Sequence, residues 1–128
     1  MDRFFAAGPD FGGRITKVHN LQEWDALLAD EKKVVIVDAY ATWCGPCKTA
    51  APVFARLSEQ FTPESCVFAK VDVDGARDVA QRLQIRAMPT FKIFKNKQEA
   101  EVQQGWPGEA KLKQMLLSHG ASLVTKSE

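Results

Sequence analysis

The spacing of apolar residues changes repeatedly along this chain, and these changes predict alternating strands and helices. Residues 33–40 contain a continuous apolar run, which is typical of a strand buried on both faces. Positions from Cys47 to Phe61 then recur at helical spacing. The predicted elements are, in order, a strand at 14–18, a helix including 21–28, a strand at 33–40, a helix from the first cysteine of the 44–47 pair to about 61, a strand at 66–73, a helix at 76–83, strands at 90–95 and 98–104, and a helix at 108–118.

The alternation of strands and helices indicates an α/β domain with parallel strands and with helices on both faces of the sheet. Only Asn96 and Lys97 separate the last two strands, so these strands form an antiparallel hairpin, and we expect one of the two turn residues to adopt a positive φ angle. A chain of 128 residues suits one domain. We place this domain at residues 14–120, between an N-terminal extension (1–13) and a polar C-terminal tail (121–128).

Charge and composition exclude several classes of function. The net charge is +1, from 17 basic and 16 acidic residues, and gives no electrostatic reason to expect binding to nucleic acid or to a membrane surface. The longest apolar run, near residues 34–37, is far too short to cross a bilayer. The three cysteines do not suit a secreted disulfide framework, so we expect a reducing, cytoplasmic location. The apolar stretch at 4–7 is shorter than that of a signal peptide, and organellar targeting by the extension is left open.

Two cysteines form the most informative motif of the chain, Trp43-Cys44-Gly45-Pro46-Cys47-Lys48. Residues i and i+3 of a helix have Cβ atoms roughly 5–6 Å apart. A disulfide requires Cα atoms roughly 4.4–6.8 Å apart. One short backbone segment can therefore hold the pair as a dithiol or as a disulfide, which is the property of a redox centre.

The positions of the two sulfurs predict different roles. Cys44 stands at the helix N-terminus, where free N–H groups and the helix dipole favour a thiolate, so we expect it to be the accessible, attacking sulfur. Pro46 suits a first turn that needs no N–H donor, and Gly45 keeps the approach open. Cys47 lies one turn further in and is expected to resolve the mixed disulfide. Asp38, at the end of the preceding strand, is the candidate acceptor for the Cys47 proton, because burial raises the pKa of a carboxyl group.

Simpler interpretations of these residues remain open at this point. The cysteine pair could ligate zinc, but a structural zinc site usually has four ligands, and only Cys66, His19 and His119 are left over. A purely structural disulfide would close a loop too small to restrict the unfolded chain much. Asp38 could simply face water at a strand end. Cys66 is expected to be buried and inert, with regulatory oxidation as the alternative.

The chain resembles the thioredoxin family over residues 14–118. The resemblance rests on the cysteine segment, on Val37-Asp38 before it and, in matching order and spacing, on Val71-Asp72-Val73-Asp74, Met88-Pro89-Thr90-Phe91 and Gly105. It implies the thioredoxin fold, a central mixed five-stranded sheet flanked by four helices. It also implies that Lys70 lies near Asp38 and tunes its acidity, unless Lys70 faces solvent.

The resemblance further implies a client-binding surface around the cysteines. A cis Met88–Pro89 peptide is implied there, with the Met88 backbone free to pair with an extended client segment; an ordinary turn proline is the alternative. Trp43 is implied to cover the site and to form a flat apolar contact surface, unless it only packs. Trp106 follows Gly105 where family members commonly have a small residue, so it either enlarges the client-contact rim or covers the core.

The resemblance implies that the protein is a general protein-disulfide reductase. It is implied to act as a monomer by dithiol–disulfide exchange, without a bound cofactor or metal. Its redox group is the Cys44–Cys47 disulfide, and its electrons come from NADPH through thioredoxin reductase. The implied clients are peroxiredoxins, ribonucleotide reductase and methionine sulfoxide reductases. The alternatives are a redox-gated binding or scaffolding subunit with the same fold, and an oxidase or isomerase, whose members usually carry histidine in place of Pro46.

Overall fold

The computed structural model describes residues 10–125, so most of the predicted N-terminal extension and the last three residues of the predicted tail lie outside the described part. Within it the elements are β1 (Ile15–Lys17), α1 (Leu21–Leu27), β2 (Val34–Tyr40), α2 (Gly45–Ser58), β3 (Cys66–Asp72), α3 (Arg77–Arg82), β4 (Thr90–Lys95), β5 (Gln98–Gln104) and α4 (Glu109–Ser118). The predicted order of strands and helices is confirmed. No helix of this part is both long and apolar enough to cross a membrane.

The five strands form one mixed sheet in the order β1-β3-β2-β4-β5. β1, β3 and β2 are parallel to each other, whereas β4 runs antiparallel to β2, and β5 antiparallel to β4. β2 lies in the centre, and its residues are buried from Val34 to Ala39. This burial explains why the strand reads as a continuous apolar run rather than as an alternating one. The predicted fold class, a mixed five-stranded sheet flanked by helices, is confirmed.

Successive residues of β2 point to opposite faces of the sheet, and each face has its own hydrophobic core. Val34 and Ile36 pack in the cluster that contains Phe54 of α2 and Leu112 of α4. Val35 and Val37 pack in the cluster that contains Trp24 of α1 and Val79 of α3. By the same alternation, positions 38 and 40 of β2 lie on the face covered by α2, which is the helix that carries the cysteines.

The helix α2 is one turn shorter than predicted. The sequence placed its end near Phe61, but the helix ends at Ser58. The N–H groups of Glu59 and Gln60 donate to carbonyls three residues back, which tightens the last turn. Phe61 then leaves the helix, pairs with Leu123 and remains fully buried. Its apolar character reflects this non-local contact, which a helical spacing pattern does not distinguish from a further helical turn.

Part of the segment predicted as a polar tail packs on the domain. Ala121 is buried, Ser122 accepts a hydrogen bond from the Thr62 N–H at 2.8 Å, and the Val124 N–H donates to the Gln60 carbonyl at 2.8 Å. Near the same segment, the Arg14 N–H donates to Ser58 Oγ at 2.7 Å, and the Arg14 side chain donates to the carbonyl of Phe61, which pairs with Leu123. Residues 121–124 lie beyond the predicted C-terminal limit and contact the body, and Gly13, just before the predicted N-terminal limit, packs against Ala55 of α2. The limits 14 and 120 stay predictions.

The turn between β4 and β5 differs from the prediction in one respect. We expected a positive φ at one of its residues, but both have it, Asn96 at 54° and Lys97 at 66°. The two positive φ angles identify a two-residue hairpin turn of type I′, one of the turn types whose backbone twist matches that of the flanking strands. The prediction of a single strained residue was therefore wrong.

Candidate active site

Cys44 and Cys47 are joined by a disulfide across the first turn of α2, with Cα atoms 5.3 Å apart. Cys44 is the N-cap residue of this helix, Gly45 and Pro46 form the start of its first turn, and Cys47 lies inside it. The proline costs no hydrogen bond there, because first-turn N–H groups have no partner within the helix. The sequence motif thus places both sulfurs at one helix end, and it does so by local geometry alone.

The sulfur of Cys44 lies in a polar environment made by the backbone. The Cys47 N–H donates to Cys44 Sγ at 3.2 Å, and the Met88 carbonyl oxygen is 3.6 Å from the same sulfur. The contact with Met88 is not a hydrogen bond in the disulfide, since the sulfur then carries no proton. After reduction and ionisation, the Cys47 N–H and the helix dipole stabilise negative charge on Cys44.

The expected contrast in accessibility between the two sulfurs is absent in the disulfide form. Cys44 is 6% exposed and Cys47 is 4% exposed. Our expectation of an accessible Cys44 was therefore wrong for this state, because Met88, Tyr40 and Val73 pack around the disulfide. Gly45 is exposed, and a Cβ at this position would meet nothing within 4 Å. Solvent therefore reaches the motif at Gly45 rather than at the Cys44 sulfur.

Asp38 is fully buried at the end of β2, and neither of its carboxyl oxygens has a hydrogen-bond partner among the described residues. Burial raises the pKa of Asp38 to about 7, while the positive charge of Lys70 acts in the opposite direction. An unpartnered buried carboxyl group resists ionisation because its charge loses hydration. The interpretation of Asp38 as a solvent-facing residue is therefore wrong, and the expected burial is confirmed.

Lys70 lies next to Asp38, as the resemblance implied, because β2 and β3 pair these two residues directly. Its ammonium group nevertheless makes no hydrogen bond to the carboxyl oxygens. It lies 4.4 Å from the centre of the Tyr40 ring, on the same face of the sheet. A cation over an aromatic face is attracted by the ring. Tyr40 thus fixes the Lys70 charge beside Asp38, a role that nothing in the sequence indicated, since the contact depends on strand register.

Trp43 is the most exposed apolar side chain at the site, with 67% of its surface accessible. Its indole N–H donates to an Asp74 carboxylate oxygen at 2.9 Å. Trp43 therefore does not pack into the core, which excludes the simpler alternative. From the sequence, Asp74 was noted only as the last residue of a segment that matches the family. Asp74 follows the end of β3 by two residues, and this position was the sequence signal for a role at this edge of the sheet.

The loop before β4 completes the surface around the disulfide. The Met88–Pro89 peptide is cis, as the resemblance implied. Pro89 is buried and its carbonyl accepts a hydrogen bond from the Gly105 N–H at 2.7 Å. Met88 is half-buried against the cysteines. Its carbonyl oxygen faces the N-cap sulfur of Cys44.

Gly105 and Trp106 follow β5 at the far side of this loop. Gly105 has φ of 83°, in the left-handed region that favours glycine. Trp106 is half-buried and packs on the core cluster, with its ring centre 6.0 Å from that of Phe91. Of the two roles expected for Trp106, covering the core is therefore the one that its contacts support.

The third cysteine and the remaining candidate ligands are not part of the site. Cys66 is buried at the start of β3, and burial raises the pKa of its thiol to about 12. Among residues 10–125, no three histidine, cysteine or acidic side chains converge in a way that could hold a metal ion. His19 and His119 each contact a glutamate, Glu23 and Glu101, rather than the cysteines.

Comparison with known proteins identifies the family. Residues 15–118 match the family model described as thioredoxin. A thioredoxin H-type of Chlamydomonas reinhardtii is 40% identical over 114 residues, which cover 87% of this chain and 99% of the relative. Thioredoxin-1 of Saccharomyces cerevisiae is 46% identical over 85 residues, which cover 66% of this chain and 80% of the relative. The crystal structure of a thioredoxin from Malassezia sympodialis superimposes with a TM-score of 0.75 at 38% identity, over 84% of this chain and 91% of that one.

The comparisons and the geometry agree on the chemistry. The matched region contains the whole sheet and the disulfide of the first turn of α2. A cysteine pair held at disulfide distance at a helix N-terminus performs dithiol–disulfide exchange. The activity is therefore that of a thiol–disulfide oxidoreductase that reduces protein disulfides. The chain belongs to the thioredoxin family.

Proposed function

We propose that Cys44 is the attacking sulfur of a general protein-disulfide reductase and that Cys47 is the resolving one. The observation that carries this assignment is the position of Cys44 as the N-cap of α2, where its sulfur accepts the Cys47 N–H. The helix terminus favours the thiolate at Cys44. Cys47 sits inside the helix and gains no comparable stabilisation. In the dithiol, Cys44 is thus the sulfur that ionises first.

The exchange then proceeds in two balanced steps. The Cys44 thiolate attacks one sulfur of a client disulfide, forms a mixed disulfide and releases the other client sulfur as a thiolate, which takes a proton from solvent. Cys47 then loses its proton, attacks the Cys44 sulfur of the mixed disulfide and releases the second client sulfur as a thiolate, which also takes up a proton. The client gains two electrons and two protons, and the protein ends as the Cys44–Cys47 disulfide.

Asp38 is the proposed acceptor for the Cys47 proton. Position 38 lies on the face of β2 that α2 covers, beneath the helix that carries Cys47. Because burial raises the pKa of Asp38 to about 7, the carboxyl group gains and loses a proton readily at neutral pH. The charge of Lys70 opposes the effect of burial and keeps the carboxylate form available. Lys70 is therefore proposed to tune the base without touching it.

The client surface is proposed to consist of the exposed Trp43, Gly45 and Pro46 on one side of the disulfide, and of Met88, Pro89 and Gly105 on the other. An extended client segment placed along the Met88 backbone would bring its disulfide next to Cys44, since the Met88 carbonyl lies 3.6 Å from this sulfur. Trp106 packs mainly on the core and is assigned a supporting role at the rim.

The wider system belongs to the same proposal. Members of this family generally work with thioredoxin reductase and with disulfide-containing clients. We propose that electrons reach this chain from NADPH through such a reductase, and that peroxiredoxins, ribonucleotide reductase and methionine sulfoxide reductases are among its clients. A monomer in a reducing, cytoplasmic compartment fits the low number of cysteines.

Reduction of insulin by a dithiol donor tests the proposal. The parent protein is expected to accelerate it, Cys44→Ser to abolish the acceleration, and Cys66→Ala to retain it, because Cys66 is buried away from the disulfide. A redox-gated scaffold would give no acceleration with the parent protein. Full activity of Cys44→Ser would show that the attacking sulfur is assigned wrongly.

A further inference from the structure

A cavity of about 170 Å³ lies between α2 and the sheet. Its floor is formed near the carboxyl ends of the three parallel strands, by Lys17 of β1, Lys70 of β3 and Tyr40 of β2. Helix α2 forms its roof, and residues 10–12, just before the domain, close one side. The carboxyl ends of parallel strands are the usual place for ligands in α/β proteins. Neither Trp43 nor Met88 lines this cavity.

The polar part of the cavity carries an excess of positive charge. Lys17 and Lys70 are direct neighbours in the β1–β3 register, and a third ammonium group comes from Lys48 of α2. Like charges directly opposite on adjacent strands are destabilising. Asp10 is the one acidic residue of the lining. Among residues 10–125, none of the three lysines forms an ion pair with a carboxylate. An anion placed here would relieve the repulsion.

The remainder of the lining is mostly apolar, and the cavity has about the volume that one aromatic ring requires. Phe11, Ile15, Ala51 and Phe54 contribute side chains to it. A protein cavity of roughly 150 Å³ with apolar walls accommodates benzene. The volume available here therefore admits a single aromatic ring. A ligand with one ring and one negative charge fits both parts of the cavity.

We propose that this cavity is a binding site for small aromatic carboxylates, with the ring against Phe11, Ile15 and Ala51 and the carboxylate directed to Lys17 and Lys70. Cys47 also lines the cavity. A bound ligand would thus lie against the resolving cysteine. Residues 10–12 line the site. The proposal therefore gives a ligand-binding role to the segment that precedes β1.

An NMR titration of the oxidised, full-length protein with benzoate tests the proposal independently of redox activity. Benzoate is expected to shift the amide signals of Ile15, Ala51 and Lys70 to saturation with a millimolar Kd. Benzyl alcohol, which keeps the ring without the charge, and acetate, which keeps the charge without the ring, are each expected to bind about three- to fivefold more weakly.

Two substitutions separate the charge from the ring pocket. Lys17→Met is expected to weaken benzoate binding by about three- to fivefold and to leave benzyl alcohol binding unchanged. Lys111→Met, which removes an exposed charge from α4 outside the cavity, is the matched control and is expected to change neither. Phe11→Ala is expected to weaken both ligands. The proposal is overturned if benzoate causes no saturable shift at the lining residues, if benzyl alcohol binds equally well, or if Lys17→Met and Lys111→Met behave alike.

Discussion

Asp38 and Lys70 face each other on the neighbouring parallel strands β2 and β3, yet their charged groups do not form a hydrogen bond. Burial moves the pKa of Asp38 upward to about 7, and the charge of Lys70 opposes this shift. Lys70 is in turn held over the Tyr40 ring. The acidity of one buried carboxyl group is thus set mainly by burial and moderated by a lysine that lies over the ring of a third residue, and this relationship leads to the first two predictions.

Asp38→Asn is expected to stabilise the oxidised protein increasingly as the pH rises from about 4 to about 7. The pKa of Asp38 is about 7 in the folded protein, against an ordinary value of 3.8. Over this window the folded state binds more protons than the unfolded state, so the stability of the parent protein falls as the pH rises. Asparagine removes this loss, which amounts to at most about 1.4 kcal/mol per pH unit.

Urea unfolding of both proteins at several pH values measures this difference. The exposed Asp25 provides a control, since Asp25→Asn alters charge without burial. A difference in the free energy of unfolding that does not change with pH would show that the Asp38 pKa is ordinary.

Lys70→Met is expected to move the pH midpoint of the resolving step upward. The substitution keeps most of the side-chain volume but removes the charge that lowers the Asp38 pKa. At neutral pH a smaller fraction of Asp38 is then ionised, and the transfer of the Cys47 proton slows. Stopped-flow measurement of mixed-disulfide decay against pH gives the midpoint. Lys70→Arg should restore it, and an unchanged midpoint in Lys70→Met would mean that Lys70 has no influence on the base.

Asp74→Ala is expected to weaken client binding without slowing chemistry. The carboxylate accepts the indole N–H of Trp43, whose ring is otherwise exposed to solvent. Without this hydrogen bond the ring becomes free to rotate, and ordering it again costs about 0.5–1.5 kcal/mol on association. We expect KM for a protein client to rise about three- to tenfold, with kcat unchanged. Asp74→Asn retains an acceptor oxygen and should recover most of the affinity; equal KM values for all three proteins would contradict the role of Asp74.

Local patterns were sufficient to predict the parts of the molecule that local geometry determines. The apolar run of β2 predicted its burial, and the spacing of Cys44 and Cys47 predicted a pair of sulfurs within one helical turn that can exist as a dithiol or as a disulfide. The burial of Asp38 was expected from its place before the cysteine motif, whereas its place at the end of the apolar run was equally compatible with exposure to water. These features depend on residues that are close in sequence, so composition and spacing carry the information.

Non-local contacts account for what the sequence did not predict. The end of α2 depends on the pairing of Phe61 with Leu123, more than sixty positions further along the chain. The low exposure of Cys44 depends on Met88, which the folded chain brings against the disulfide. The contact between Tyr40 and Lys70 depends on the register of two strands. The spacing of residues along the chain does not specify which residues of two strands lie opposite each other or which distant segments meet. It therefore could not predict these contacts.

Cys66 is expected to be unreactive in the folded, reduced protein. It is buried, and burial raises the pKa of its thiol to about 12, so almost no thiolate is present near pH 8. Alkylation with iodoacetamide followed by peptide mapping should modify Cys44 first and Cys66 only in denaturant. Rapid native labelling of Cys66 would instead support the alternative of a regulatory oxidation site.

The most direct test of the central claim, that Cys44 attacks and Cys47 resolves, is a single-turnover reaction of reduced Cys47→Ser with a disulfide-containing client, followed by mass spectrometry. The account predicts a stable covalent complex joined through Cys44, and no corresponding complex when Cys44→Ser is treated in the same way. Normal turnover by Cys47→Ser, or an equally fast adduct at Cys47 in Cys44→Ser, would contradict the assignment of the two sulfurs.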